Sequence, residues 1–284
     1  MTKYWIKFTF ILCLFYGNCF ADGTKINREY KTLVITCASG ELGAATARLL
    51  ARDHNLILTG RNLSTLQQLQ KELKADHLCR YEICLLDYSS NSSISSFKSY
   101  LNQVDSPPLS GLVLITPRPQ FYGKELMQEE GTWLAVFRNT FTGPLEALKV
   151  VLPNLIQNGK IVVIVGTTSV QFQPEAGPAC VIRRMWTTYT KALSHQLGPQ
   201  GISINTLSPG VVLTNFHQQR IQKKANENEL SYDDQMEKDV ANIPLRRHTQ
   251  PQEVAQTIKF LISDDSNFIN GVNLIIDGGF TTSY

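Results

Sequence analysis

Seven short apolar runs recur along this chain, and the stretches between them carry apolar residues at helical spacing. The runs are Thr32–Thr36, Asn55–Thr59, Tyr81–Leu86, Gly111–Ile115, Lys160–Val165, Ile202–Leu207 and Val272–Ile276. Between them, Leu63, Leu66, Leu69 and Leu73 share one helical face, and Ile94, Phe97 and Leu101 share another. Trp133, Val136 and Phe137 open a long third helix whose far end is set by Pro153. Strands alternating with helices predict an α/β fold: a doubly wound parallel sheet of about seven strands in three layers. No internal repeat or low-complexity linker divides residues 31–281, so one domain is the economical reading. Such sheets bind ligands at the carboxyl ends of their strands, near the switch in strand order. The residues to search are therefore Cys37–Gly43, Gly60-Arg61, Asp87, Thr116–Pro119, Gly166–Ser169 and Ser208–Thr214. The polar stretch Asn215–Arg247 is long for a connection; it is either a helical lid over a cleft or a solvent-exposed helix pair.

Composition narrows the picture. The chain has 284 residues, 43% hydrophobic and 18% charged, enough to bury a sizeable core. A net charge of +3 without a long basic run gives no electrostatic case for nucleic acid. Residues 1–22 differ from the rest: Lys3 and Lys7 precede the apolar run Phe8–Gly17, and Cys19-Phe20-Ala21 offers a small-residue cleavage site. That layout suits a signal peptide or an uncut N-terminal anchor, hence export or membrane association; an ordinary extension is the alternative, which leaves the protein cytoplasmic. Cys37, Cys79, Cys84 and Cys180 show no C-x-x-C spacing and read as small buried hydrophobes. The five histidines are scattered without H-x-x-x-H or H-x-H pairing, so no metal site is expected.

The stretch Thr36–Gly43 carries the most chemistry. An apolar strand leads into a tight turn and then a helix with Leu42, Ala45 and Leu49 on one face. Backbone N–H groups and the helix dipole at such a turn favour a phosphate. At the end of the second strand stands Arg61 rather than a carboxylate, which favours the 2′-phosphate of NADP(H) over the bare ribose of NAD.

These features together resemble the short-chain dehydrogenase/reductase family from about Lys31 to Thr281. Thr36–Gly43 is similar to its T-G-x-x-x-G-x-G turn, and Asp87 to its adenine-recognising Asp. Asn205–Gly210 with Thr214 is similar to the N-x-x-x-P-G-x-x-x-T segment over the nicotinamide, and Asp277-Gly278-Gly279 to the C-terminal D-G-G. The resemblance implies a Rossmann-type domain and an NAD(P)(H)-dependent oxidoreductase, NADP(H) favoured, acting on a small carbonyl or hydroxyl compound. It also implies a homo-oligomer. The implied cofactor residues are Thr36, Ser39, Gly40, Leu42, Gly43, Arg61, Asp87, Arg183, Pro209, Gly210 and Thr214.

The chain departs from that family at the reacting end. The first two turn glycines are Cys37 and Glu41, and a carboxylate at the second would repel a diphosphate unless it points away; Gly40 offers a turn in shifted register. The helix asparagine aligns with Thr140 and the catalytic serine with Gly166, leaving Thr167, Thr168 and Ser169 as substitutes. The tyrosine–lysine pair aligns with Ala179 and Arg183, and Tyr189 and Lys191 have the wrong spacing to replace it. Candidate catalytic groups are therefore Thr167, Thr140 and Arg183, with Tyr122 as a more remote proton donor. Two readings remain open: a divergent oxidoreductase, or a catalytically defective member serving as a nucleotide-binding or regulatory module.

Overall fold

The computed structural model describes residues 30–77, 79–103, 107–119 and 129–282. Residues 1–22, Tyr122 and the far part of the Thr116–Phe121 segment lie outside the described residues. Seven strands form one parallel sheet: β1 (Thr32–Ile35), β2 (Asn55–Gly60), β3 (Tyr81–Leu85), β4 (Leu109–Ile115), β5 (Leu155–Ile164), β6 (Ser203–Pro209) and β7 (Asn273–Ile276). Their order across the sheet is β3-β2-β1-β4-β5-β6-β7. The chain starts at β1, winds outward to β3, then crosses to β4 and winds the other way. The switch point lies between β1 and β4, where Ile35 pairs with Val113.

Alternation of side chains along each strand sends neighbouring residues to opposite faces, and this divides the core in two. Val34, Ile57, Leu112, Leu114, Ile161 and Val163 face one layer. That layer is α3 (Asn91–Leu101), α5 (Gly143–Val151) and α6 (Gly177–Leu197), which contribute Phe97, Leu148 and the fully buried Trp186. Leu33, Ile35, Leu56, Leu58, Val113 and Val162 face the other layer. There α1 (Glu41–Leu50), α2 (Leu63–Asp76) and α9 (Pro251–Ile262) contribute Leu50, Leu66, Leu69, Val254 and Ile258. The sheet is thus covered on both faces, as its continuous apolar runs require.

The long third helix is interrupted. α4 (Glu130–Phe137) runs through a π-turn at Arg138–Thr142 before continuing as α5. The wider turn is served by Trp186, whose indole Nε1 donates to the Thr140 carbonyl at 2.9 Å. The helix ends at Val151, just before Pro153, where proline cannot continue the hydrogen-bond ladder.

Between β6 and α9 the chain forms two helices, α7 (Asn215–Glu227) and α8 (Tyr232–Val240). Ser231 caps α8 by accepting from the Asp234 N–H at 3.0 Å. Both helices bury part of one face, through His217, Ile221 and Ala225 on α7 and Gln235 and Val240 on α8. α7 begins at the carboxyl edge of the sheet, and the remaining faces of the pair are largely open to solvent. Among the described residues, no helix is long and apolar enough to cross a membrane.

Candidate active site at the carboxyl edge of the sheet

The β1–α1 turn keeps the geometry of a phosphate cradle with altered side chains. Thr36 Oγ1 accepts from the Ile115 N–H at 2.8 Å, fastening β1 to β4 across the switch point. The Thr36 hydroxyl is therefore part of the frame rather than a ligand contact. Cys37 follows with φ of 50°, the left-handed conformation a glycine would take at no steric cost. Gly40, by contrast, has φ of −86° and ψ of 159°, ordinary extended backbone. The turn thus keeps its register, with Cys37 carrying the strain, and Gly40 does not supply a shifted one. The Cys37 thiol donates to the Ile115 carbonyl at 3.4 Å. Burial raises its pKa to about 12 against the opposing pull of the Arg61 charge, so the thiol stays protonated and is no nucleophile.

Gly43 is required by packing. A Cβ there would lie 2.5 Å from the Cys37 carbonyl oxygen and 2.7 Å from Ala38 Cα, both backbone atoms. Like Thr36, it shapes the turn from beneath. Glu41 is the first residue of α1, and both its carboxylate oxygens accept from the Asn215 N–H, at 2.9 and 3.0 Å. Asn215 is the first residue of α7, whose N-cap Thr214 makes no side-chain capping bond. An internal carboxylate therefore sits where two helix N-termini meet, the place where positive dipole ends favour an anion.

Beyond this turn a cleft of about 290 Å³ opens along the strand ends. Leu42, Thr116, Thr167, Arg183, Gly210 and Thr214 line it, with Pro209 beside Gly210. The corner between β5 and α6 fixes its reacting end. Gly166 has φ of 110°, and a Cβ added there would lie 3.1 Å from Arg183 Nη1 and 3.3 Å from its Cζ. The guanidinium thus occupies the space a serine side chain would need: the larger cation and the smaller loop residue compensate each other. Arg183 Nη1 donates to Thr168 Oγ1 at 2.8 Å, and Arg184 Nη1 donates to the Ser169 carbonyl at 3.0 Å. Ser169 Oγ and Ser208 Oγ are 2.8 Å apart, and the Asn273 amide donates to Ser169 Oγ at 3.3 Å. Two arginines and a buried polar network therefore hold the Thr167–Ser169 loop. Thr167, nine-tenths buried, presents to the cleft.

Thr140 does not reach the cleft. It is buried, and its hydroxyl donates to the Val136 carbonyl at 2.6 Å, so this catalytic candidate is corrected to a structural residue of the π-turn. Ala179 is fully buried against Ala176 and Cys180 and carries no hydroxyl to the cleft. Tyr189 packs edge-on against Trp186 and Phe141, and Lys191 on the same helix is exposed.

Arg61 and Asp87 stand at the neighbouring strand ends. Asp87 Oδ1 accepts from the Ser89 N–H at 2.9 Å and from its hydroxyl at 2.7 Å. These bonds hold its carboxyl below the usual range, with the Arg61 charge adding to them. Ser39 lies directly over Gly60, so a Cβ on that glycine would come within 2.8 Å of its hydroxyl. Ser39 and Gly40 line a second hollow of about 310 Å³ between α1, α2 and α9 rather than the main cleft.

Arg118 falls in the Thr116–Pro119 stretch, and His217 and Arg220 in the Asn215–Arg247 stretch, which the sequence marks only as whole segments. Arg118, Arg220 and His217 also line the cleft. The Arg118 guanidinium carbon sits 3.9 Å above the Phe216 ring, a cation–π contact that ties the loop after β4 to α7. No local spacing signals this pairing, because its partners are almost a hundred residues apart; only the lid reading of Asn215–Arg247 points toward it.

With the fold and cleft in place, comparison with known proteins defines the class. A family model described as "Enoyl-(Acyl carrier protein) reductase" matches residues 38–281. The chain belongs to this family, within the short-chain dehydrogenases/reductases. It is 28% identical over 253 residues to 3-oxoacyl-[acyl-carrier-protein] reductase FabG of Rickettsia conorii, covering 88% of this chain and 96% of that protein. It is 24% identical to dehydrogenase/reductase SDR family member 4 of Oryctolagus cuniculus, covering 88% and 93%. Among solved structures, L-sorbose reductase from Gluconobacter frateurii, complexed with NADPH and L-sorbose, superposes with a TM-score of 0.83 at 18% identity, covering 90% and 98%. An NADPH-bound short-chain oxidoreductase from Pseudomonas aeruginosa PAO1 with an atypical catalytic centre superposes with a TM-score of 0.79 at 20% identity, covering 90% and 100%. These two structural likenesses speak to fold.

Proposed function

We propose that this protein is an NADP(H)-dependent oxidoreductase that interconverts a small carbonyl compound and its alcohol. The observation that carries the reading is the Arg183 guanidinium held over Gly166 at the mouth of a cleft on the switch point. Its relatives include named reductases, and both structural neighbours named above are NADPH complexes, which supports the choice of cofactor.

The residues fit the group with one adjustment. Arg61 would meet the 2′-phosphate, Asp87 the adenine edge, and the Leu42 N–H at the start of α1 the diphosphate. Pro209, Gly210 and Thr214 would cover the nicotinamide, while Arg183 would donate to ribose hydroxyls. Glu41 must swing off Asn215 N to leave the two helix N-termini to the diphosphate. NADP(H), when bound, supplies or accepts the hydride. Thr167 and the Arg183–Thr168 pair would then hydrogen-bond the substrate oxygen. A guanidinium presents hydrogen-bond donors only, so Arg183 orients the oxygen and stabilises negative charge on it. The proton comes from solvent. Absence of a positioned acid costs ~10²–10⁴-fold in rate, so slow turnover is expected.

The test is titration of purified protein with NADPH and NADH, read by intrinsic fluorescence and melting temperature. NADPH should bind more tightly, and Arg61→Ala should erase the difference. No response to either nucleotide would overturn the reading. The buried Ala179, at the position of the family's tyrosine, favours a second reading, a module that binds nucleotide without turnover. Tight NADPH binding with no oxidation across a panel of small ketones and aldehydes would select it.

A further inference from the structure

His217, Asp239 and His248 come from three successive segments: α7, α8 and the loop leading into α9. The fold brings one ligand atom from each within 4.8 Å of the others. The two rings lie 5.1 Å apart at 84°. His217 and His248 are only 8% and 4% exposed. Yet His217 Nε2 and both ring nitrogens of His248 have no hydrogen-bond partner. Burying such groups unsatisfied costs ~1–3 kcal/mol each, so their meeting beside a carboxylate calls for a partner. Asp239 is itself held: it accepts from Lys224 Nζ at 3.0 and 3.4 Å and from Gln235 Nε2 at 3.1 Å.

We propose that His217, Asp239 and His248 form a site for a zinc-class divalent cation that pins α7 and α8 to the segment preceding α9. Two imidazoles and one carboxylate suit zinc and its first-row neighbours, whereas magnesium and calcium require mainly oxygen ligands. Tetrahedral ligands at ~2.0–2.1 Å from zinc lie about 3.4 Å apart, so loading draws the three groups together by up to about 1.4 Å. Lys224 and Gln235 take the place usual for groups that orient a ligating carboxylate. Arg118 and Arg220 act on His217, and Lys224 on His248 and Asp239, with positive charge. They oppose any cation bound by field alone, so affinity must come from the nitrogen bonds. This selects against hard ions a second time. The expectation from sequence that the scattered histidines form no site is thereby revised: the ligands converge through tertiary packing, and local spacing cannot show it. The proposal stands whether or not the nucleotide reading holds, although His217 also lines the cleft.

The test uses full-length protein stripped with a chelator and then titrated with Co²⁺ and Zn²⁺. Expected are the intense visible bands of tetrahedral cobalt, one zinc retained per chain after dialysis, and a raised melting temperature. Free cysteines also bind these ions, so variants decide the assignment. His248→Ala should lose at least tenfold in affinity with an unchanged circular dichroism spectrum. Asp239→Asn, which keeps the shape of the side chain, should weaken binding while still folding if His248→Ala does not. Wild-type metal content no higher than that of Asp239→Asn, or cobalt bands showing thiolate charge transfer alone, would overturn the proposal.

Discussion

The two ends of the cleft have departed from their family's pattern in opposite ways. At the β1–α1 turn the backbone is conserved and the electrostatics are not. Cys37 accepts a left-handed φ of 50° and Gly43 keeps its close approach, but Glu41 places a negative charge where an anion would bind. At the β5–α6 corner the charge is kept and the volumes are exchanged. Arg183 retains a cation at the position of the lysine, and Gly166 gives up a side chain to make room for it. The comparison shows which constraints are steric and which are chemical. Close backbone contact leaves little latitude, whereas a polar side chain facing a cleft can be lost or exchanged provided its neighbours absorb the change.

The largest effect should come from breaking the steric constraint. Gly43→Ala forces a carbon into two backbone atoms, and about 3 kcal/mol of stability should be lost in urea unfolding. Gly40→Ala, whose added carbon would sit 3.4 Å from the nearest atom, should change stability by less than about 0.5 kcal/mol. Equal losses at both positions would erase the distinction between the two glycines.

At the other end, Arg183→Ala removes donors from the reacting corner while leaving the turn untouched. NADPH affinity should fall about 30-fold, near 2 kcal/mol, with little change in melting temperature. An unchanged dissociation constant would mean that the corner does not touch the nucleotide.

A pH series probes the packing of α7, which lines the cleft, against the segment before α9. Burial holds His217 at about 4 and His248 below the ordinary 6.5, so the folded chain binds fewer protons than the unfolded chain between those values. Stability of metal-free protein should be full above about pH 6.5 and fall as pH drops through that window. His217→Asn with His248→Asn should flatten the slope. The smallest effect concerns strain. Cys37→Gly relieves a left-handed residue, worth ~1–2 kcal/mol, but adds freedom to the unfolded chain, so the net gain should be under about 1 kcal/mol.

Much of this architecture is legible in the chain. All seven apolar runs are strands, displaced at their ends by two residues at most except at β5, which begins five residues earlier, because a sheet covered on both faces leaves an unbroken apolar record. Of the site, Leu42, Thr167, Pro209, Gly210 and Thr214 meet at one cleft as their positions after strands imply, and Arg183 joins them as the resemblance implies. Thr140 is misplaced by the same logic, since alignment along a helix does not reveal that a π-turn has turned its hydroxyl back onto Val136. The stacking of Arg118 on Phe216 and the approach of His217 to His248 depend on how α7 is docked, a tertiary fact with no periodic signature. Glu41 is visible as an obstacle in the sequence, but its partner, the Asn215 N–H lying 174 positions away, is not.

Glu41 is therefore where the account is most exposed. Fluorescence titration of Glu41→Gln with NADPH, beside the parent protein, separates an internal anion holding a phosphate position from a harmless surface contact. About tenfold tighter binding by the variant is predicted, because removing one negative charge frees the paired helix N-termini for the diphosphate. Binding that is unchanged or weaker would contradict it, and the carboxylate would then be a cap for α7 and nothing more.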